Sequence, residues 1–335
     1  MIEARALTRR FSGGVLAVDA LSLSVRTGEV VGLLGPNGAG KSTTIRMLTG
    51  YLAPTAGSSR LAGVDVQREP VRAQRALGYL PEGSPLYAEM TPRAILRFVA
   101  SVRGLRGRAR TSAVDRAIAR ARIASVADRA VETLSKGYRR RVGLAQAIVH
   151  EPPVLILDEP TDGLDPNQKR AVRALVAELR EQAAVIISTH LLEEVGTLCT
   201  RTGVIARGRL VFDGSPEQLH ALDPARGTVT LTVRTTADDA PVRGERWRGL
   251  FADLAGAGAI DSEAGPEASL VRVTIRPKPD ASERERTALA PLASARARER
   301  GLAIESLAVE PGRLDEVFRQ LTERANATPG PERAA

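Results

Sequence analysis

The sequence of 335 residues predicts an α/β fold followed by a smaller α+β domain. Short apolar runs alternate with stretches of helical spacing up to about residue 222, as in domains whose strands and helices alternate along the chain. A Gly-rich loop joins one apolar run to a helical stretch, which is typical of a strand–loop–helix unit. After a Pro/Gly break at 223–227, apolar and polar residues alternate as in half-buried strands. We therefore predict two domains, 1–222 and 223–323.

The first domain is expected to combine three kinds of segment. Residues 15–25 alternate like an antiparallel strand, and three continuous apolar runs predict buried parallel strands. These runs are Val30–Leu34, Val154–Asp158 and Val185–Ser188. Residues 91–130 are rich in Ala and Arg and carry no strand signal, so we predict a helical subdomain at about 91–150. A further helix is predicted by an i, i+3, i+4, i+7 stripe of Val172, Leu175, Val176 and Leu179.

The second domain is predicted from two segments in which apolar and polar residues alternate and from one apolar stripe with helical spacing near its end. Apolar residues alternate with polar ones over 229–233 and 271–275, as in strands with one buried face. The last helical stripe consists of Leu314, Val317, Phe318 and Leu321. Residues 324–335 have no apolar face to bury, and we expect a disordered tail there. The role of residues 223–323 stays open between regulation, dimerisation and contact with a partner.

The charge balance of the chain admits two interpretations. The formal net charge is +9, and only four of the 48 basic residues are lysines: Lys41, Lys136, Lys169 and Lys278. This excess of arginine suits either nucleic-acid binding or a compositional bias of arginine over lysine. The arginines are interleaved with Asp and Glu, and only 3% of residues are aromatic, which leaves few rings to stack on bases. We favour the bias and expect no nucleic-acid partner.

Cysteine, histidine and long apolar runs are scarce. Cys199 is the single cysteine, so no internal disulfide forms, and the three histidines, His150, His190 and His220, show no metal-ligand spacing. The apolar runs are far shorter than the ~20 residues of a membrane helix, and the first residues lack the apolar core of a secretory signal. We expect a chain of the reducing cytoplasm that does not itself cross a membrane.

Phosphate-binding chemistry is predicted for the segment that follows Val30–Leu34. Its sequence GPNGAGKS matches GxxxxGK[ST], and a helical stretch follows it, as in a P-loop. Glycines allow backbone N–H groups to surround phosphates, and the helix N-terminus adds a positive dipole end. Lys41 would neutralise charge on the β- and γ-phosphates, and the Ser42 hydroxyl would bind Mg²⁺. The predicted nucleotide-binding residues of this loop are Gly35, Pro36, Asn37, Gly38, Ala39, Gly40, Lys41, Ser42 and Thr43.

Two acids at the end of the run Val154–Asp158 provide a second chemical signal. A buried strand that ends in Asp158 and is followed by Glu159 would carry both carboxylates to the edge of the sheet beside the P-loop. There Asp158 would hold Mg²⁺, directly or through water, and Glu159 would polarise the attacking water as a general base. The alternative is that one of the two acids only caps the next turn.

The segment before this strand indicates a family. Residues 134–138 read LSKGY and resemble LSGGQ, the signature of the ATP-binding subunits of ABC transporters. The resemblance implies a P-loop NTPase cassette with a mixed sheet, an antiparallel subdomain and an inserted helical subdomain. It also implies a homodimer in which the signature of one subunit contacts the γ-phosphate bound to the other. The signature residues are Ser135, Lys136, Gly137 and Tyr138, of which Lys136 and Tyr138 depart from the commonest form.

Two loops further along match the family in its order. Residues 162–165 resemble the D-loop, with Asp165 as its acid, and the pair Thr189-His190 resembles the H-loop. The resemblance implies that His190 hydrogen-bonds the γ-phosphate and helps to position Glu159 and the water. A purely structural histidine is the alternative.

Two earlier positions match the family less closely. Phe11 stands where the family places an aromatic ring that stacks on adenine, and a core phenylalanine is the alternative. Glu82 stands at the Q-loop position, where the family usually has glutamine. A carboxylate there can still bind Mg²⁺ or water, but it adds negative charge near a triphosphate. The predicted metal ligands are thus Ser42, Asp158 and Glu82.

Several strings are similar to one group within the family. GYLPEGSPLY at 78–87, GLDPNQ at 163–168 and the ending at 311–322 resemble ABC-2 exporters, especially the ATPases related to the gliding-motility transporter. This resemblance implies an ATP-hydrolysing subunit on the inner face of the cell membrane. Its ATP-driven dimerisation would power a separate integral-membrane permease, whose cargo the sequence does not reveal.

Two other functions compete with transport. The first is a soluble ABC ATPase that acts on nucleic acid or ribosomes, which the basic charge would suit. The second is a small-molecule P-loop kinase, against which the signature, the D-loop and His190 argue. We favour the exporter subunit over the soluble ATPase because Lys41 and Ser135 are too close for a long coiled-coil arm and the sequence contains no second ATP-binding cassette.

Overall fold

A computed structural model of the chain describes residues 1–234, 244–267 and 269–327. The chain divides into two compact units. The first unit comprises Met1–Pro216 together with the chain from Arg319 onward, and the second comprises Glu217–Phe318. Each unit has its own sheets and its own buried core.

The first unit is built from an antiparallel sheet, a larger mixed sheet and the helices around them. Its strands are β1 (Ile2–Arg10), β2 (Leu16–Val25), β3 (Val30–Leu34), β4 (Ala56–Leu61), β5 (Val64–Asp65), β6 (Leu77–Leu80), β7 (Val154–Asp158), β8 (Ala184–Thr189), β9 (Arg201–Ala206) and β10 (Arg209–Gly214). Its helices are α1 (Lys41–Leu48), α2 (Pro70–Arg75), α3 (Pro92–Val102), α4 (Gly107–Arg120), α5 (Lys136–Ile148), α6 (Pro166–Leu179) and α7 (Leu192–Leu198). At the boundary, α8 spans Pro216–Ala221.

The mixed sheet has the strand order β10–β9–β3–β8–β7–β6. The strands from β9 to β6 run parallel to one another, and β10 pairs antiparallel with β9. Every residue of β3, β7 and β8 is buried, as expected for parallel strands that are covered on both faces. Because these strands are parallel, the carboxyl ends of β3, β6, β7 and β8 lie at the same edge of the sheet.

Alternate residues of the parallel strands enter two different cores. Leu155 and Val185 belong to a core formed with α3, α4, α5 and α6. Ile156 and Ile186 belong to a core formed with α1 and the antiparallel sheet, whose order is β2–β1–β4–β5. Successive side chains of a strand point to opposite faces, so one continuous apolar run serves both cores.

The chain between β6 and β7 is fully described; after a loop at 81–91 it is mainly helical, and it contains no strand. It consists of α3, α4 and α5, with short 3₁₀ turns at Ala124–Val126 and Val131–Thr133. The first of these helices begins at Pro92, because the Thr91 hydroxyl accepts the Ala94 N–H at 3.2 Å and proline suits a first helical turn. This segment occupies the place of the predicted helical subdomain.

The second unit has a βαββαβ order. Its elements are β11 (Val229–Arg234), α9 (Gly244–Phe251), β12 (Ala257–Ala264), β13 (Leu270–Pro277), α10 (Glu283–Glu299) and β14 (Ala303–Val309). The last helix, α11 (Leu314–Ala327), begins in this unit, and its residues from Arg319 are counted with the first unit. The sheet order is β12–β13–β11–β14, and all pairs are antiparallel, which is the ferredoxin-like arrangement. Leu231 and Val273 pack with Phe251 and Leu289 in the core between sheet and helices.

The boundary between the units differs from the predicted one. The second unit begins at Glu217, a few residues before the Pro/Gly break that the sequence suggested as a boundary. The Asp223 carboxylate accepts hydrogen bonds from the backbone N–H groups of Ala225 and Arg313, which both lie in the second unit. The break is therefore an anchored turn within that unit, because a side chain inside it binds two backbone groups there.

The end of the chain also departs from the prediction. Helix α11 continues to Ala327, so residues 324–327 are helical where the sequence predicts the start of a disordered tail. Arg and Ala in this stretch favour helix even without an apolar face. The remainder of the predicted tail, 328–335, lies outside the described residues. Within the described part of the chain, no helix combines the length and the apolar character needed to cross a bilayer.

Candidate nucleotide-binding site

The loops after β3, β6, β7 and β8 meet at one edge of the mixed sheet. The register pairs the last residues of neighbouring strands: Leu34 with Thr189, Asp158 with Ser188, and Leu80 with Leu157. This register brings the P-loop to the same edge as Glu82, Glu159 and His190. The carboxyl ends of parallel strands are the usual ligand-binding edge of an open α/β sheet.

The P-loop, residues 35–42, leads from β3 into α1 and is shaped by close backbone contacts. A Cβ atom on Gly35 would lie 2.5 Å from the carbonyl oxygen of Ile205, so only glycine fits there. The Gly208 N–H donates to the Ala39 carbonyl at 2.8 Å. The shape of the loop thus depends on the turn between β9 and β10, which is far away in sequence.

Lys41 is the first residue of α1, and only 7% of its surface is exposed. Its Nζ atom donates to two P-loop carbonyls, one of which is that of Pro36 at 3.1 Å. Burial lowers the pKa of Lys41, and the negative charges of Glu159, Asp158 and Glu82 oppose this effect. The ammonium group therefore lies within electrostatic reach of all three acids that the sequence predicts for the site.

Asp158 ends β7, and Ser188 on the neighbouring strand orients it. The Asp158 side chain is 6% exposed, and its carboxylate accepts a hydrogen bond from the Ser188 hydroxyl. The Glu159 N–H in turn donates to the Ser188 hydroxyl at 3.0 Å and to its carbonyl at 3.1 Å. One serine, which the sequence analysis did not single out, thus holds both acids.

Glu159 is held through its backbone and through its side chain. Its φ of 49° lies in the left-handed region, which residues other than glycine adopt rarely and often at functional sites. Its Oε1 atom lies 3.0 Å from Nδ1 of His190. The structure therefore brings the predicted base and the predicted histidine into contact. This contact gives the Glu159 carboxylate a partner other than the next turn.

A buried arginine of α5 lies beneath the loop that carries Glu82. Arg140 is 6% exposed, and its Nη1 atom donates to the Pro81 carbonyl at 3.0 Å and to the Ser84 hydroxyl at 2.8 Å. Its Nη2 atom donates to the backbone carbonyls of Asp158, which ends β7, and of Glu159, which follows it. Burial lowers the pKa of Arg140, and the nearby carboxylates, with Asp158 foremost, oppose this effect.

A cavity of about 530 Å³ opens between the Glu82 loop and the start of α5. Its lining includes side chains of both charges: Glu82, Lys136, Arg140, Glu159 and Asp162. The cavity places the Glu82 loop, the signature and Glu159 around a common space.

The predicted signature forms the start of α5. Ser135 is the N-cap, and its hydroxyl accepts the Tyr138 N–H at 3.4 Å. The Nζ atom of Lys136 lies 2.8 Å from a carboxylate oxygen of Asp162, and this hydrogen bond lowers the pKa of Asp162. The Tyr138 ring lies under the guanidinium of Arg141 at 4.2 Å. The two side chains that depart from the common signature therefore both have partners within the chain.

Two of the predicted residues are exposed. Asp165 is the N-cap of α6, where its Oδ1 atom accepts the Gln168 N–H at 2.9 Å. Phe11 is 37% exposed, and the guanidinium of Arg9 lies 4.8 Å from its ring centre. The alternative of a core phenylalanine is therefore wrong, whereas stacking on adenine stays a prediction.

The side-chain oxygens at this edge could bind Mg²⁺ only together with oxygens from a nucleotide. The candidates are the Ser42 hydroxyl in the first turn of α1 and the carboxylates of Asp158 and Glu82. Among the described residues, no group of three or more His, Cys, Asp or Glu side chains could hold a metal alone. Mg²⁺ is usually bound through one or two protein oxygens together with substrate phosphates, so this donor set suits an ion that arrives with a nucleotide. When bound, it would neutralise phosphate charge.

Sequence reasoning overlooked Ser188, Arg140 and the partner of Lys136. Ser188 had a usable signal, because it ends the predicted strand Val185–Ser188, which pairs with β7 so that Ser188 lies opposite Asp158. Arg140 had none, since it is the middle one of three consecutive arginines, and nothing in the sequence tells that the second and third of them are buried. Asp162 was noted only as the first residue of the D-loop.

Comparison with known proteins identifies the family. The ABC transporter family model matches residues 18–162. Nod factor export ATP-binding protein I of Burkholderia orbicola is 39% identical over 219 residues, which are 65% of this chain and 72% of that protein. The chain belongs to the family of ABC transporter ATP-binding proteins. Members of this family are ATPases, which confirms the predicted enzyme class.

Two further matches define the extent of the similarity. The probable multidrug ABC transporter ATP-binding protein YbhF of Escherichia coli is 39% identical over 222 residues, which are 66% of this chain but 38% of that protein. The chain thus spans well under half the length of this ABC relative. A solved ATP-binding subunit of an ABC transporter matches with a TM-score of 0.62 and 28% identity over 66% of this chain and 92% of that one. These matches confirm the predicted cassette fold.

Proposed function

We propose that this ABC protein hydrolyses ATP with Mg²⁺ to power an exporter of the ABC-2 type. The observation that carries the proposal is the 3.0 Å contact between Glu159 and His190 at the sheet edge that also holds Lys41. A carboxylate base, a histidine that orients it and a cation for phosphate can together promote hydrolysis of a phosphoanhydride. Export is favoured because two relatives are named for multidrug transport and Nod factor export.

The chemical roles follow from the contacts of each residue. Lys41 and the P-loop amides would stabilise negative charge on the phosphates. The Glu159 carboxylate would accept a proton from the attacking water, and His190 would hold that carboxylate in place. Asp158, oriented by the Ser188 hydroxyl, would supply an oxygen ligand for the metal. Glu82 would add a further oxygen from the loop after β6.

The proposal includes a homodimer. The signature residues Ser135 to Tyr138 would contact the nucleotide held by a second copy, as the family resemblance implies. Ser135 is the N-cap of α5, whose positive dipole end would attract a phosphate. ATP would thus join two copies, and its hydrolysis would release them.

The proposed membrane partner is a separate permease, which would hold the ATPase at the inner face of the cell membrane. An exposed aromatic pair supports a docking surface on the helical segment: the rings of Tyr87 and Phe98 are edge to face at 6.3 Å. Exposed Val102 lies one turn beyond Phe98 on α3. Clustered exposed apolar residues commonly mark protein contacts.

Three measurements test this function. Purified protein should hydrolyse ATP in the presence of Mg²⁺, and Lys41→Ala should abolish this turnover. Co-expression with a candidate integral-membrane permease should give a complex that Phe98→Glu weakens while ATP binding is kept. Near-normal turnover in Lys41→Ala would refute the P-loop assignment. Tight, salt-sensitive binding to DNA or RNA without permease association would refute transport.

A further inference from the structure

We propose that Arg140 is a positioning residue that holds Glu159 and the Glu82 loop together as one catalytic unit. The inference rests on the proposed ATPase function, because it assigns a role within that site. Arg140 lies in the second turn of α5, away from the signature residues that start the helix. Its guanidinium bridges the loop after β6 and the loop after β7.

The contacts of Arg140 divide evenly between the two loops. Nη1 binds the Pro81 carbonyl at 3.0 Å and the Ser84 hydroxyl at 2.8 Å, on either side of Glu82 in sequence. Nη2 binds the backbone carbonyls of Asp158 and Glu159. All four acceptors are neutral oxygens, three of them backbone carbonyls, so the hydrogen bonds of Arg140 fix the course of the two loops. Its charge also lies near the carboxylates of the site, with Asp158 foremost.

Both loops contain a residue that needs such support. Ser84 has a φ of 46° and Glu159 a φ of 49°, and both residues are therefore in the left-handed region. Residues other than glycine persist in this region when the surrounding structure holds them there. Arg140 bonds to both of these residues, and the Glu159 N–H is held from the other side by Ser188.

The surface of α5 is shaped to receive the Glu82 loop. Gly143 lies one turn after Arg140, and a Cβ atom on it would lie 2.8 Å from a Leu80 methyl and 3.0 Å from the Ser84 Cβ. The absence of a side chain at this position lets the loop approach the helix closely enough for the Arg140 contacts. A movement of α5 would therefore be transmitted to Glu82 and Glu159 at the same time.

This arrangement predicts a specific kinetic defect. A base displaced by about 1 Å can lose on the order of a hundredfold in rate, while interactions that bind the nucleotide elsewhere are unchanged. Loss of the Arg140 guanidinium should therefore lower kcat for ATP much more than it raises KM. If Arg140 only packed the fold, its loss would lower thermal stability, and the protein that remained folded would keep a normal kcat.

The matched control is Arg286 in the second unit. It is 7% exposed, close to the value for Arg140, and it too donates to backbone carbonyls, including those of Arg226 at 2.8 Å and Ala281 at 3.1 Å. Arg286→Ala thus removes a similarly buried guanidinium from a similar set of acceptors. It leaves the loops around Glu159 untouched.

The experiment compares Arg140→Ala, Arg140→Lys and Arg286→Ala in the full-length chain. We expect Arg140→Ala to lower kcat at least about tenfold with KM for ATP changed less than about threefold, and millimolar ethylguanidinium to restore part of kcat. Arg140→Lys covers the case in which the alanine variant does not fold, and it should retain an intermediate kcat. Arg286→Ala should keep the wild-type kcat and should not respond to ethylguanidinium.

A second readout does not depend on turnover. Amide hydrogen exchange of peptides covering 82–85 and 159–162 should be faster in Arg140→Ala and unchanged in Arg286→Ala. Unchanged exchange in both peptides, or a kcat equal to that of the wild type, would overturn the inference. Wild-type protein that exchanges as expected but hydrolyses no ATP would instead refute the proposed function.

Discussion

The ammonium group of Lys136 lies 2.8 Å from the carboxylate of Asp162 and joins the signature to the loop after β7. Lys136 stands where the commonest signature has glycine. A glycine has no side chain to form this ion pair, so a chain with the commonest signature would lack it. Both side chains are substantially exposed, and such pairs contribute about 0.2–1 kcal/mol. The pair is weak enough for Lys136 to exchange Asp162 for a phosphate oxygen in an ATP-bound dimer.

Asp162→Asn should strengthen ATP-driven dimerisation, because the freed ammonium no longer has to leave a carboxylate. A change of up to about 1 kcal/mol corresponds to an ATP requirement lowered up to about fivefold. Lys136→Ala should shift the requirement in the opposite direction. The measurement is the dimer fraction against ATP concentration, by light scattering after size-exclusion chromatography. Identical curves for all three proteins would show that Lys136 does not contact the nucleotide.

Glu159→Gln should bind ATP normally and hydrolyse it at least about a hundredfold more slowly, because the amide cannot accept a proton from water. Since the nucleotide then persists, this variant should accumulate as an ATP-bound dimer. Single-turnover hydrolysis and molar mass in solution measure the two effects. Lys41→Ala is the control, which should neither bind ATP tightly nor dimerise. A monomeric Glu159→Gln protein saturated with ATP would contradict the dimer model.

Glu82→Gln should retain hydrolysis, because the amide oxygen can still serve as a ligand for metal or water. The charge of Glu82 is one of three that raise the pKa of Lys41 against the effect of burial. Its removal should lower that pKa further, so the alkaline limit of nucleotide binding should move to lower pH. The measurement is the pH profile of ATP affinity in the two proteins. Complete loss of hydrolysis would show that the carboxylate charge itself is required.

His150 should make the first unit sensitive to acid. Burial lowers the pKa of His150 to about 4 from its ordinary value of 6.5, and its Nε2 atom lies 3.1 Å from the Leu77 carbonyl. The unfolded chain therefore binds a proton between pH 6.5 and 4 that the folded chain does not bind. Titration of His150 therefore leaves the free energy of unfolding unchanged above pH 6.5 and lowers it by up to about 3 kcal/mol as the pH falls to 4.

The test for His150 is urea unfolding at pH 7.5 and at pH 4.5. Other groups also titrate in this range, so the quantity of interest is the difference between the wild type and His150→Gln. The variant cannot take up a proton at this position, and its free energy of unfolding should fall less with acid. Equal losses in both proteins would show that His150 is not buried in its neutral form.

The parallel strands were predictable because covered strands are continuously apolar. The runs Val30–Leu34 and Val154–Asp158 are strands with these bounds, and the third run is β8 with one more residue at each end. Once these strands are parallel, the positions of Lys41 and Glu159 at one sheet edge follow from topology. The P-loop, the two acids and His190 could therefore be placed together from the sequence.

Other elements carried too little sequence signal. β1 has arginines at several positions, and β12 and β14 are mostly exposed, so none of them shows a clear apolar alternation. The order βαββαβ of the second unit was missed for that reason. The roles of Ser188 and Arg140 depend on hydrogen bonds to backbone atoms far away in sequence, and composition or spacing does not reveal such bonds.

The contact of the P-loop with the turn between β9 and β10 has a consequence for synthesis of the chain. A ribosome makes residues 35–42 long before Ile205 and Gly208, against which Gly35 and Ala39 rest. Domains begin to fold during synthesis from their N-terminus. We expect the nascent chain to gain affinity for ATP only after the ribosome has released residues 205–208, so nucleotide can favour the finished cassette but cannot assist the early steps of its folding.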